Sequence, residues 1–301
     1  MEVQQYNRLE YMTEQKHITI GGVPEHFNLP WYFALRDKSF QEHGIKCTWK
    51  DFPTGTGAMC QALKNKEVDF AVLLTEGIVK DLVMNANHSK IIQLFVESPL
   101  IWGVHVAKES TFETVDDLQT ARVGISRFGS GSHLMAFVHA EQQGWNVDSL
   151  KFKEIGGLQN ALTALSSEAD YYLWEKFTTK PHVDDGTFRR IGEIPTPWPC
   201  FVIVARNEVL QDNPQLVRDV LQVINNITKD FKSVPNIEQQ IAARHNQKVE
   251  DVHSWLSITE WSQRNISEEE LDKVQSELLK LNLITKKLKF SEVTHDISET
   301  K

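Results

Sequence analysis

From Lys16 onward, short apolar runs alternate with stretches whose apolar residues recur at helical spacing. Such alternation predicts an α/β fold, because strands joined through helices lie side by side in one direction and build mostly parallel sheets. Residues 17–20 read as a first strand closed by Gly21, Gly22 and Pro24. A helix is expected over 31–40, punctuated by Gly44, and a second strand over 47–52 running into Thr54, Gly55, Thr56 and Gly57. Helix 58–65, strand 69–74, helix 77–84 and strand 91–96 complete this first part. Strands over 102–107 and 122–125 and a helix over 133–143 follow, the last ended by Gly144.

One part of the pattern repeats. Ala62-Leu63 is followed by Glu67-Val68-Asp69-Phe70 and then Glu76; Ala161-Leu162 is followed by Glu168-Ala169-Asp170-Tyr171 and then Glu175. The register slips by two residues between the copies. Each copy reads as a helix and then a strand that delivers a glutamate at its carboxyl end. Two similar lobes explain this better than one continuous sheet, and 301 residues suit two domains.

Pro195, Pro197 and Pro199 exclude helix and central strand, since proline removes a donor and fixes φ, and read as a stiff connection between lobes. The apolar run 201–205 follows. Helices are expected over 214–231, 237–245, 249–264 and 268–281, with a charged tail that frays from Lys286.

Thirty-two basic against 41 acidic residues leave a net charge of −9, which argues against general nucleic-acid binding and against docking on anionic lipid. Residues 1–14 carry no apolar run, so no secretory signal is expected, and no window has the roughly 20 apolar residues of a membrane span. Cys47, Cys60 and Cys200 form no CxxC pair and no zinc spacing. A cytoplasmic, reducing setting is the expectation, with no metal and no cofactor.

The densest chemistry lies in Ser126-Arg127-Phe128-Gly129-Ser130-Gly131-Ser132-His133, between a strand and a helix. Free N–H groups at a helix start, three hydroxyls and a guanidinium suit an anionic group. The run lacks the Gly-Lys-Ser/Thr ending of a phosphate-binding P-loop and is no dinucleotide fingerprint. Thr54, Gly55, Thr56 and Gly57 occupy the equivalent turn of the first lobe. Glu76 and Glu175 are expected at strand ends facing the cleft, with Trp174 beside Glu175 to stack on a flat ligand. Asn28, Trp31, Trp102 and Trp198 are assigned to the same cleft. Eleven histidines show no HExxH and no triad order, so no catalytic residue is named.

Three segments together carry a family resemblance: 126–133, Trp174-Glu175-Lys176-Phe177-Thr178-Thr179-Lys180-Pro181, and Thr196-Pro197-Trp198-Pro199-Cys200-Phe201. Over 16–281 the chain resembles a fungal and bacterial branch of the type 2 periplasmic-binding-protein-like superfamily whose members often lack a signal peptide. The resemblance implies two α/β lobes joined by two crossovers, near 97–102 and 195–201, with a ligand between them. It implies a first lobe from 16–98 with 201–290, a second from 99–200, and tails at 1–15 and 291–301. The C-terminal helices should return to the first lobe.

The chain is more distantly similar to the enzymes that make the thiamine pyrimidine. Those carry a Lys and a His around the third strand and a cysteine-rich run near the second crossover. Here residues 68–77 contain neither Lys nor His, and only Cys200 remains at the crossover, so the catalytic roles do not transfer. The expectation is an intracellular protein that binds a small polar molecule, anionic or heteroaromatic, without transforming it. An enzyme of thiamine-pyrimidine metabolism is the alternative, and a transporter's soluble receptor a further one. Neither nucleic acid nor membrane is an expected partner, and the oligomeric state is unassigned.

Overall fold

The computed structural model describes residues 15–85, 88–165 and 167–297. Along the chain, β1 (Lys16–Gly22), α1 (Leu29–Arg36), β2 (Ile45–Asp51), α2 (Thr56–Lys64), β3 (Phe70–Leu74), α3 (Thr75–Met84) and β4 (Ser89–Val96) alternate as the apolar pattern predicts. Then come β5 (Ile101–Ala107), β6 (Arg122–Ile125), α4 (Gly131–Gln142), β7 (Lys151–Glu154), α5 (Leu158–Ala164), β8 (Tyr171–Glu175), α6 (Lys180–Asp184) and β9 (Phe188–Pro195). After β10 (Phe201–Arg206) the chain is helical: α7 (Asn207–Asp212), α8 (Pro214–Asp230), α9 (Ile237–His245), α10 (Val249–Ile258), α11 (Glu268–Lys280) and α12 (Phe290–Val293).

The strands form two five-stranded sheets, ordered β2-β1-β3-β10-β4 and β7-β6-β8-β5-β9. In the first, β1 is parallel to β2 and β3, while β10 is antiparallel to both β3 and β4, so only β10 runs against the rest. In the second, β6 is parallel to β7 and β8, and β5 is antiparallel to β8 and β9. The reversed strand in each sheet is the one that enters directly from the other lobe. Two connections, 97–100 and 196–200, therefore join the lobes. β10 is buried along Phe201, Val202, Ile203, Val204 and Ala205, each at most 2% exposed, as a strand covered on both faces must be.

Several boundaries differ from the sequence expectation, each for a local reason. The helix expected over 31–40 stops at Arg36, because Lys38 takes φ 59° and a short 3₁₀ turn, Ser39–His43, leads to Gly44. The helix expected to Arg264 stops at Ile258. Edge strand β4 captures the chain beyond: Leu94 N–H donates to Arg264 O (2.9 Å), Glu97 N–H to Glu260 O (2.9 Å), and Ser262 N–H to Phe95 O (3.0 Å). Hydrogen bonds along an open sheet edge outweigh the helical spacing of Trp255, Ile258 and Trp261.

The tail expected to fray from Lys286 also docks on β4. Val293 is fully buried, His295 N–H donates to Ile91 O (2.9 Å), and Lys90 Nζ donates to the carbonyls of Ser291 (2.6 Å) and Glu292 (2.7 Å). Residues 1–14 of the expected N-terminal tail lie outside the described residues. Edge strands β7 and β9, of sequences KFKE and FRRIGEIP, are too polar to register as apolar runs. Proline closes β9 at its last residue, an edge position where a missing donor costs little. The C-terminal helices pack on the first lobe, α8 against α1 and α11 against α3. Among the described residues no helix is long and apolar enough to cross a membrane.

Candidate functional site

The turn after β6 is built by its own serines. Ser130 caps α4, its Oγ accepting from His133 N–H (3.3 Å), so the helix starts at Gly131 rather than at the expected His133. Ser132 Oγ accepts from Ser126 N–H (2.9 Å) and lies 3.1 Å from Ser130 Oγ and 3.4 Å from Ser126 Oγ. The three hydroxyls form one chain. Gly131 has no side chain where Leu74 and Trp102 press closest, each 3.0 Å from a would-be Cβ. His133 serves the turn: its Nδ1 accepts from Gly129 N–H (3.0 Å). Burial, then nearby Lys80, lowers its pKa to about 4, so the ring is neutral near pH 7.

Opposite this turn, in the first lobe, Gly55 at φ 79° reverses the chain into α2. Thr56 Oγ1 accepts from Leu74 N–H (3.2 Å), pinning the turn to β3. Arg127 crosses the gap, Nη1 donating to Thr54 O at 2.9 Å. The guanidinium lies over Gly57, where a Cβ would come within 1.9 Å of Nη2.

The far wall carries carboxyls. Glu175 ends β8, is 3% exposed, and accepts from Thr178 N–H at 2.6 Å. Burial raises its pKa to about 7, against the lowering effect of the Thr178 and Phe177 N–H groups. Glu25 faces it from the loop after β1, and burial followed by the Glu175 charge pushes it to about 8. His26 Nε2 stands 3.8 Å from Glu175. Burial and His245 hold His26 well below the ordinary value, which makes this a contact with a neutral ring rather than a salt bridge.

These walls enclose a chamber of about 60 Å³, lined from the predicted set by Thr54, Gly55, Thr56, Trp102, Ser126, Arg127, Ser130, Gly131, Ser132, Trp174 and Glu175. Val23, Glu25, Leu74, Leu100 and Phe201 complete the lining. Trp174 stacks on Tyr172, ring centroids 5.4 Å apart and 14° from parallel, and Trp102 Nε1 is buried with no partner among the described residues. A second cavity, of about 330 Å³, lies on the other side of Arg127, with Gly57, Glu76, Lys80, Asp81 and Phe128 in its wall.

The remaining predicted residues sit elsewhere. Trp31 is 1% exposed in the core among Phe40, Trp49 and Phe95. Asn28 is buried beneath the cleft loop, its Nδ2 donating to Val23 O (2.9 Å). Glu76 does not end a strand: α3 begins one residue earlier, at Thr75, and holds Glu76 in its first turn. Trp198 Nε1 donates to Glu76 Oε2 at 2.7 Å, so this pair joins the crossover to α3 and lies outside the chamber. Among the described residues no three His, Cys, Asp or Glu side chains converge as metal ligands.

Glu25 and the apolar lining were not among the predicted residues. The available signal was position, since loops after the carboxyl ends of parallel strands face the crevice, and Glu25 follows β1 directly.

A profile of the Ca3427-like PBP family matches residues 102–194, the greater part of the second lobe. No curated protein sequence matches the chain. Among solved structures, the Candida albicans CA3427 gene product, described as defining a new family with the generic periplasmic binding protein fold, is 24% identical. It aligns with TM-score 0.83 over 90% of this chain and 92% of that one. The alkanesulfonate-binding protein SsuA from Xanthomonas axonopodis pv. citri, bound to MOPS, is 15% identical with TM-score 0.79 over 94% and 99%. The ligand-binding component of an ABC-type import system from Staphylococcus aureus, with zinc bound, is 16% identical with TM-score 0.74 over 95% and 99%. The chain has the two-lobe periplasmic-binding-protein fold.

Proposed function

We propose that this protein binds a small polar molecule, anionic or heteroaromatic, in the chamber between its lobes, releases it unchanged, and acts inside the cell. The observation that carries this reading is the polarity of the chamber. Arg127 and the hydroxyls of Ser126, Ser130 and Ser132 form one wall, and the carboxyls of Glu25 and of the buried Glu175 form another. An anionic group suits the first, and an N–H donor suits the second. Trp174 and Trp102 offer flat apolar surface between them. A chamber of about 60 Å³ takes only a small group while the lobes are closed, so binding and release go with a hinge motion.

The buried cysteines are unsuited to thiol chemistry. Cys200 is fully buried, its thiol held well above the ordinary value by burial, and Cys60 is raised in the same way, so neither is a ready nucleophile. All three cysteines are free thiols, which suits a reducing compartment.

The test is a thermal-shift screen of small anions and heteroaromatic amines, with mass spectrometry of whatever copurifies. Each hit is then titrated against Arg127→Ala and Glu175→Ala. Affinity should fall at least tenfold in both variants; hits unaffected by either would overturn the assignment. Intact-mass detection of the protein in the cytosolic fraction tests the compartment.

A further inference from the structure

The outer cavity holds two cations that approach from opposite lobes. Lys80 projects from α3, and Arg127 from the turn after β6. Each reaches a glycine of the other lobe: a Cβ on Gly57 would lie 1.9 Å from Arg127 Nη2, and one on Gly129 would lie 3.2 Å from Lys80 Nζ. Among the described residues neither cation has a carboxylate within ion-pair distance. The acids of the same cavity are turned elsewhere, Glu76 to Trp198 (2.7 Å) and Asp81 to Asn85 (2.8 Å) and His88 (3.6 Å).

Closure of the lobes therefore brings two like charges together with no carboxylate between them. Burial lowers the Lys80 pKa, and Arg127 lowers it further, as expected for an ammonium facing a second cation. The space beside them is about 330 Å³, far more than the inner chamber. Exposed apolar side chains stand at its wall, Phe128 at 62% and Met84 at 50% exposure.

We infer that this outer cavity is an oxyanion subsite, in which a phosphate- or sulfate-class group bridges Lys80 and Arg127 and relieves the repulsion that opposes lobe closure. The inference shares Arg127 with the proposed function but does not need the inner chamber to be filled. An anion between the cations gains two charge-assisted contacts only when the lobes meet, so its binding free energy is spent on the closed form.

The experiment titrates the full-length protein with inorganic phosphate and sulfate at constant ionic strength maintained with chloride, following melting temperature and radius of gyration. Stabilisation beyond chloride, with contraction, is expected. Lys80→Gln should weaken binding at least tenfold and Lys80→Arg should restore most of it. No stabilisation beyond chloride, or unchanged binding in Lys80→Gln, would overturn the inference. Glu175→Gln should leave phosphate and sulfate binding intact; its loss there would move the anion to the inner chamber and also overturn the outer site. Phosphate binding that depends on Lys80, in a protein whose ligand screen is otherwise silent, sinks the proposed function and upholds this site. Methanesulfonate bound with the same Lys80 dependence supports a group carried on an organic ligand; inorganic anions alone support a site for the free ion.

Discussion

Trp198 in the second crossover donates its indole N–H to Glu76 in the first turn of α3 at 2.7 Å, with both side chains buried. The bond ties a connection between lobes to a helix of the first lobe, while the second carboxyl oxygen, Oε1, is buried with no partner among the described residues. Burial raises Glu76 from 4.5 to about 7, the indole N–H pulling the other way. The native state therefore holds a proton that the unfolded chain has lost. This contribution to stability is complete below about pH 4.5 and disappears as pH rises through about 7. Urea denaturation at several pH values should show stability falling across that window, and Glu76→Gln should flatten the fall. Glu175 and Glu25, raised in the same direction, keep part of the slope. Trp198→Phe should cost about 1–3 kcal/mol, the usual penalty for an orphaned buried acceptor.

Gly57→Ala is the gentlest way to test the Arg127 bridge. Gly57 lies in the first turn of α2, where alanine is acceptable to the backbone and its helix propensity, worth up to about 1 kcal/mol, offsets part of what the lost bridge costs the fold. The added methyl meets Nη2 at 1.9 Å and must displace the guanidinium from Thr54 O. A charged donor lost from its carbonyl is worth about 1.5–3 kcal/mol, so affinity for an inner-chamber ligand should drop about 10- to 100-fold. Calorimetric titration of a screen hit alongside a melting curve reads both quantities; full affinity would show that the bridge plays no part in binding.

Legibility in the sequence followed chain position more than residue type. Thr54–Thr56, Ser126–Ser132 and Glu175 could be read because each follows the carboxyl end of a strand, where backbone geometry alone aims side chains at the crevice. The repeat misplaced Glu76, because its partner Glu175 ends β8 whereas the first-lobe copy turns into helix at Thr75. Lys80 gave no signal: a single lysine on an amphipathic helix reads as a solvated charge until the opposite lobe brings Arg127 and Gly129 to it. The segment 260–264 and the C-terminal strap follow β4 because that edge offers hydrogen bonds, a demand of the sheet that no local pattern in those segments carries.

Trp31 separates packing from recognition. Its ring sits 6.4 Å from Phe40, 6.1 Å from Trp49 and 5.8 Å from Phe95, centroid to centroid, inside the first lobe. Trp31→Ala should cost about 3–5 kcal/mol in denaturant unfolding, the range for emptying a buried tryptophan site. Binding measured below the melting temperature should keep its ligand preference. A change of preference at unchanged stability would return Trp31 to the cleft.

Lobe closure should respond to salt. Lys180 of α6 reaches Asp251 of α10 (3.1 Å), Lys248 reaches back to Asp184 of α6 (2.9 Å), and Lys280 of α11 pairs with Glu141 of α4. All three pairs join the lobes on the surface, and Gln247 Nε2 adds a donor to Phe177 O at 2.6 Å. Exposed pairs contribute about 0.2–1 kcal/mol each, but a two-state hinge sums them on the closed side. In about 1 M salt, where the screening length falls to about 3 Å, the ligand-free protein should open, seen as a larger radius of gyration by small-angle scattering. The double variant Asp184→Asn/Asp251→Asn should open at low salt and lose most of the salt response while its melting temperature barely moves. A radius that ignores both salt and the double substitution would show that apolar contact across the chamber, Leu74 of the first lobe against Gly131 of the second, holds the lobes without these ion pairs.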